Sequence, residues 1–198
     1  MPDVVAETGR LRLRTWGAGD REEFARVTNT SAVMRWLGGV QDPVTANAAS
    51  DRIDCFQRDF GHTFWIVERR EEDALLGFCG LKRVNSPGGE ALHGQFEIGW
   101  RLREEAWGQG YAKEAAIASL DLAFGRYQAP HVIALTVPGN QTSQGLMRRL
   151  GMTRTPDFDF IDSRFDDPGE LNPSIVHRIE AADWPGARAA ALAQRSRA

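Results

Sequence analysis

Six consecutive residues, Trp107-Gly108-Gln109-Gly110-Tyr111-Ala112, have the composition of an anion site. Glycines carry no Cβ, so the backbone there can approach phosphate oxygens closely. A helix-like run, Lys113 to Tyr127, follows. The first N–H groups of a helix have no intrahelical partner and sit at the positive end of its dipole. A strand-like run, Gln95 to Leu102, leads in. Strand, glycine turn and helix in that order read as a cradle for a pyrophosphate. The same turn without a ligand is a tight strand-to-helix connection. It lacks the Gly-Lys-Ser/Thr ending of a P-loop and the third glycine of a dinucleotide fingerprint, which makes a nucleotide-binding protein the weaker reading.

The elements that must position this turn are legible in part. Leu11, Leu13 and Thr15 alternate with Arg10, Arg12 and Arg14, the period of a half-buried strand. Asp20, three residues before Glu23, fits a capping box, and Phe24 and Val27 give the helix behind it an inner face. Ser31 is a cap for a second short turn. Asp42-Pro43 starts a longer amphipathic helix, with Ala49, Ile53, Phe56 and Phe60 on one side and its end near Gly61. This stretch either walls a substrate pocket or simply faces the core. Phe64 to Val67 and Leu75 to Leu81 form a hairpin. On the strand Gln95 to Leu102, Phe96, Ile98, Trp100 and Leu102 share one face, and Glu97, Gly99 and Arg101 the other. Val132 to Val137 is a further strand. Gln141 to Leu150 is a helix closed at Gly151 by a left-handed cap. Asp157 to Asp162 and Ile175 to Ile179 read as the last strands. The stretch from Ala187 onward is a loose helix or disorder. The expectation is a mixed α/β (α+β) fold with helices on a mainly antiparallel sheet.

Composition narrows the function. The 198 residues are 42% hydrophobic and 26% charged, enough for one domain with a sizeable core. A net charge of -3 with no basic stripe does not point to nucleic acid. No run approaches the ~20 apolar residues that cross a bilayer, and Met1 to Gly9 does not resemble a signal peptide, so no membrane partner and a cytoplasmic location are expected. Cys55 and Cys79 have neither metal-ligand nor disulfide-framework spacing, so no metal is expected.

Glu97-Ile98-Gly99-Trp100, the turn from Trp107 to Ala112, and Asn140-x-x-Ser143 with Leu150-Gly151-Met152 together resemble the GNAT superfamily of acyl-CoA N-acyltransferases. Leu11-Arg12-Leu13-Arg14 and the Trp-Gly-x-Gly-Tyr-Ala form of the turn are similar to its ribosomal-protein-alanine acetyltransferase branch. The resemblance covers residues 9–180, read as one domain, with 181–198 as a C-terminal tail. It implies a GNAT-like sheet with helices on both faces and a splayed strand pair. It also implies acetyl-CoA as co-substrate and acetyl transfer to a primary amine, either a small molecule or a protein N-terminus, by a monomer or homodimer. The N–H groups of Gly108, Gln109, Gly110, Tyr111 and Ala112 would hold the CoA pyrophosphate. Trp100, Arg101 and Leu102 would pair with the pantetheine amides, and the strand Val132 to Val137 would splay to leave a slot for the thioester. Asn140 would bond the pantetheine, and Ser143 would lie near the sulfur. Asn140 also suits a plain helix cap.

An attacking amine must be neutral, whereas a free amine near pH 7 is largely protonated, so some group must take its proton. Glu97 is the candidate base; an apolar setting would raise its pKa. Its alternatives are an exposed carboxylate or a partner of Arg101. His93 and His177 are rivals, since imidazole titrates near neutrality. N–H groups near Leu102 are candidate oxyanion donors. Many superfamily members place a thiolate-protonating tyrosine where this chain has Met147, and an Arg or Gln where it has Trp107. Met147 keeps a second expectation open, an acyl-CoA-binding module without catalysis. The acidic tract Asp157, Asp159, Asp162, Asp166 and Asp167 either attracts a cationic acceptor or is a solvated loop.

Overall fold

Residues 2–194 are described by a computed structural model. Eight strands make one sheet in the order β1-β2-β3-β4-β5-β6-β8-β7. They are β1 (Val4–Glu7), β2 (Leu11–Arg14), β3 (Phe64–Arg69), β4 (Ala74–Arg83), β5 (Phe96–Leu102), β6 (His131–Thr136), β7 (Thr153–Arg154) and β8 (Ile175–Glu180). All neighbouring pairs are antiparallel except β5 and β6, which run parallel. The mixed, mainly antiparallel sheet expected from the sequence is therefore present.

Helices cover both faces. On one lie α4 (Tyr111–Gly125), α5 (Gln141–Arg149) and α6 (Trp184–Ala193). Leu11, Leu13, Ile98, Leu102, Leu120, Leu146, Met147, Leu150 and Trp184 meet there in the main core. The other face carries α1 (Asp20–Thr28), a one-turn α2 (Ser31–Met34) and α3 (Pro43–Phe60). Its core is smaller: Phe24 and Val27 of α1 pack on Ile66, Leu75 and Phe78. The β2 alternation buries Leu11 and Leu13 fully, while Arg12 and Arg14 share Glu68 on the opposite face at 2.6 and 2.7 Å.

Local chemistry explains the helix ends. Asp42 accepts the N–H groups of Val44 and Thr45, Pro43 fills the first turn, and Gly61 closes α3 at φ 70°. Gly151 likewise adopts φ 79° after α5. Two expected caps are not those seen. Gly19, not Asp20, stands at the α1 N-cap; the Asp20 carboxylate instead takes the Gly17 N–H and the Arg14 guanidinium, a stronger donor than a helix amide. Thr30 rather than Ser31 caps α2, accepting the Val33 N–H at 3.3 Å.

Two segments differ from expectation, and a third takes the helical of its two expected forms. Residues Val4–Glu7 add an edge strand ahead of the region read as the domain. Asp157 to Asp162 is not a strand: Pro156–Phe158 forms a 3-10 turn, and one bridge, Phe160 to Ser174, follows. Here carboxylates take the bonds a strand would make. Asp159 binds the Arg154 guanidinium and the Val176 N–H, and buried Asp162 binds Arg164. Within the expected tail, α6 packs on α4: Trp184 donates to Asp121 at 2.9 Å, and Lys113 reaches the Ala191 carbonyl at 3.2 Å. The tail's last four residues, 195–198, lie outside the described residues.

Candidate active site

β5 and β6 share a single pairing, Glu97 with Ile133. Beside it His131 Nε2 lies 2.9 Å from Gln95 Oε1. Each strand is otherwise held by its outer neighbour, β5 by β4 along its whole length and β6 by β8. The two strands thus touch at their N-terminal ends and part toward Leu102 and Thr136. Because they are parallel, the turns that follow them, and the N-termini of α4 and α5, lie at the same open end. Ligands of parallel strand pairs collect at such carboxyl ends.

The edge of β5 facing the gap is polar. Arg103 N–H donates to the Leu76 carbonyl at 2.8 Å, which fixes the phase of the β4–β5 ladder. Alternation then turns the N–H and C=O of Trp100 and Leu102 away from β4, toward the gap. The Leu102 carbonyl is engaged by the Trp107 indole at 2.9 Å. Trp107 therefore ties the turn to the strand.

The turn itself adopts φ 73° at Gly108 and φ 80° at Gly110, which L-residues disfavour. α4 begins at Tyr111, two residues earlier than the sequence suggests, because Gly110 serves as its N-cap. Among the described residues, no acceptor meets the N–H groups of Gly108, Gln109, Gly110, Tyr111, Ala112 or Lys113; the first α4 donor with a partner is Glu114, to Gly110. Arg10 braces the turn from β2's end. It donates to the Gln109 carbonyl at 3.0 Å, pairs with Glu114 at 2.6 Å, and lies 4.4 Å from the Tyr111 ring centre. Burial pushes the Glu114 carboxyl up, but hydrogen bonds from Thr8 and Arg10 outweigh this and hold its pKa below the usual value. Arg10 and Glu114 are about a hundred residues apart in sequence, so periodicity and spacing carried no signal for this brace.

At the parallel turn after β6, Asn140 caps α5, its Oδ1 accepting the Ser143 N–H at 3.2 Å. Asn140 and Ser143 are both partly buried at the open end. Met147 is buried in the main core.

Glu97 is buried at the point where the strands part. Its cross-strand partner is Lys82, with Nζ 2.7 Å from Oε2, so its neighbour is an ammonium rather than the expected apolar wall, solvent or Arg101. His177 is on the opposite face of the sheet, paired with Ala134 of the main core, and the structure does not bring it to Glu97. Burial, then the charges of Arg154 and Arg148, pushes its pKa down. His93 is exposed, its Nε2 within 3.0 Å of the Ser86 carbonyl. In the acidic tract, Asp159 and Asp162 are paired with Arg154 and Arg164. Among the described residues no three His, Cys, Asp or Glu side chains are placed to hold a metal ion, and no helix is long and apolar enough to cross a membrane.

This geometry has close counterparts. The family model described as "Acetyltransferase (GNAT) domain" matches residues 10–153. The Bacillus subtilis protein YkkB is 30% identical over 146 residues, which cover 73% of this chain and 83% of YkkB. A solved acetyltransferase from Agrobacterium tumefaciens superposes with a TM-score of 0.72 at 24% identity, over 88% of this chain and 93% of that one. Ribosomal-protein-S5-alanine acetyltransferase from Vibrio fischeri superposes with a TM-score of 0.69 at 16% identity, over 92% and 99%. At those identities the two structures establish the likeness of fold.

Proposed function

The chain belongs to the GNAT acetyltransferase family, and on that premise we propose that it moves an acetyl group from acetyl-CoA to a primary amine, on a small molecule or a protein N-terminus. The observation that carries this reading is the row of partnerless N–H groups from Gly108 to Lys113 at the open end of the parted strands. A pyrophosphate would occupy the amides of Gly108, Gln109, Gly110, Tyr111 and Ala112, stabilised by the α4 dipole. The pantetheine would continue the β5 ladder on the edge offered by Trp100 and Leu102, and Asn140 and Ser143 would line its other side; the backbone N–H and C=O of Arg101, expected on that edge, turn toward Phe78 of β4 instead.

The amine would attack the thioester carbonyl directly. Glu97, fixed by Lys82 at the apex of the gap, would take the amine's proton directly or through a water. Slot-facing N–H groups of β5 would stabilise the oxyanion. Met147 has no proton to give, so the leaving thiolate would be protonated by water or by Ser143.

Two measurements test the reading together. Calorimetry with CoA should show binding, and thiol release from acetyl-CoA should appear with at least one class within a panel of amines and N-terminal peptides. Absence of CoA binding at millimolar ligand would sink the proposal. Met147, buried where a proton donor would stand, favours one other reading, a non-catalytic acyl-CoA-binding module. Tight CoA binding without thiol release across the panel would select it.

A further inference from the structure

Most guanidinium groups among the described residues face a carboxylate, and Arg101 does not. Its side chain leaves β5 on the face away from α4, opposite Phe78. The guanidinium lies 5.5 Å from the Phe24 ring centre and 5.3 Å from that of Phe78. Its Nε is buried with no hydrogen-bond partner. Burial is the one influence on its pKa, pushing it down to about 10, so the group stays charged at neutral pH. Two phenyl faces offset part of the cost of burying that cation, but supply none of the acceptors its N–H fork is shaped for.

Arg101 opens into a cleft between α1 and α3, whose wall includes Phe24, Thr28, Asn29, Asn47 and Ser50. The carboxylates of Asp51 and Asp54 are taken up by Arg21 at the rim, so they do not neutralise Arg101. The cleft offers about 50 Å³, room for a carboxylate-sized group rather than a whole substrate. Glu97 shares this face of β5, four residues back and about 13 Å along the strand. A molecule held at Arg101 therefore lies on the proposed base's side of the gap.

We propose that the Arg101 side chain anchors a carboxylate of the acceptor, so that the amine acetylated by this protein is one that also bears a carboxylate. This rests on the acetyl-transfer reading and adds the acceptor's chemical class to it. A guanidinium binds a carboxylate through two parallel N–H···O bonds, which a primary amide cannot match. The carboxylate comes either from a free amino acid or from an acidic side chain near a protein N-terminus.

The first test needs no turnover. In the CoA-saturated, ¹⁵N-labelled protein, the Arg101 Nε–H resonance is assigned by its loss in Arg101→Lys and followed during titration with sodium acetate. It should shift saturably at millimolar acetate, and should not shift with acetamide or with sodium chloride at equal ionic strength. No acetate-specific shift at tens of millimolar overturns the proposal. The second test compares thiol release with free amino acids and with their primary amides, and with N-terminal peptides that do or do not carry aspartate at the second position. Carboxylate-bearing acceptors should be favoured by roughly 10- to 100-fold, mainly through KM. Arg101→Gln should erase that preference while Arg101→Lys keeps part of it, and CoA affinity by calorimetry should stay within about threefold. Equal losses toward acids and amides would mark Arg101 as structural only. Loss of CoA binding in the unmodified protein would instead count against the acetyl-transfer reading itself.

Discussion

Helix α4 buries seven of its fifteen residues, whereas α3, with eighteen, buries none. The first lies against the sheet through Ala115, Ala116, Leu120 and Ala123, and its N-terminus is fixed by the glycine turn, Arg10 and Trp107. The second touches the sheet side mainly through Ile53 and through single hydrogen bonds from Thr63 and Trp65. One face of the sheet is thus a finished framework, and the other a thinly held cover over a cleft. The difference suits the proposed division of labour, in which CoA would meet preformed backbone donors while the acceptor would enter where packing is light. Preorganised amides need no rearrangement to bind, and lightly packed helices open at small cost.

The largest expected contrast is in stability. Leu120→Ala should cost about 2–5 kcal/mol in urea unfolding, because it hollows the main core. Ile53→Ala, on half-buried α3, should cost less than about 1 kcal/mol. Equal losses would mean that both faces carry the fold alike, and the contrast would be lost.

Next comes the turn. A Cβ at Gly108 meets nothing within 4 Å, so the cost of Gly108→Val arises from φ 73° and from intrusion on the ligand rather than from a clash within the protein. A valine there relaxes out of the left-handed backbone in the free protein, and returning it to that conformation on binding costs roughly 1–2 kcal/mol, so CoA affinity by calorimetry should fall about tenfold. Val44→Ala, at an exposed position of α3, should leave it unchanged.

Protonation probes both faces at once. His62, His131 and His177 have pKa values pushed down, in each case chiefly by burial. The unfolded chain binds their protons more readily than the folded one. Stability therefore rises with pH across the window from their depressed values up to about 6.5, and is lost as pH falls through it. The melting temperature should drop by several degrees between about pH 7 and about pH 5, and His177→Gln should flatten that drop. A melting temperature that climbs on acidification would contradict the burial of these rings. The smallest effect is expected for Trp107→Phe, which removes one hydrogen bond and should weaken CoA by about 1 kcal/mol or less.

Much of this framework was legible because it is local. The Asp42-Pro43 start, the Gly61 and Gly151 ends and the glycine turn each depend on residues within one helical turn. The β5 faces followed from simple alternation. What stayed hidden was held by distant partners. Lys82 meets Glu97, and Arg10 meets Glu114, only once the sheet has assembled. The alternation of Phe158 and Phe160 suggested a strand, but Asp159 between them and Asp162 beyond found guanidinium groups instead. The β1 strand, four residues on the sheet's edge with Val4 exposed, is too short to show an alternation.

Titrating CoA into ¹⁵N-labelled protein reads out, amide by amide, whether the N–H groups after β5 are the proposed pyrophosphate donors. The backbone N–H resonances of Gly108 to Lys113 should move downfield together and saturate with the calorimetric affinity, while those of α3 stay in place. If CoA binds and those six resonances do not move, with the shifts clustering elsewhere, the pyrophosphate is held at another site.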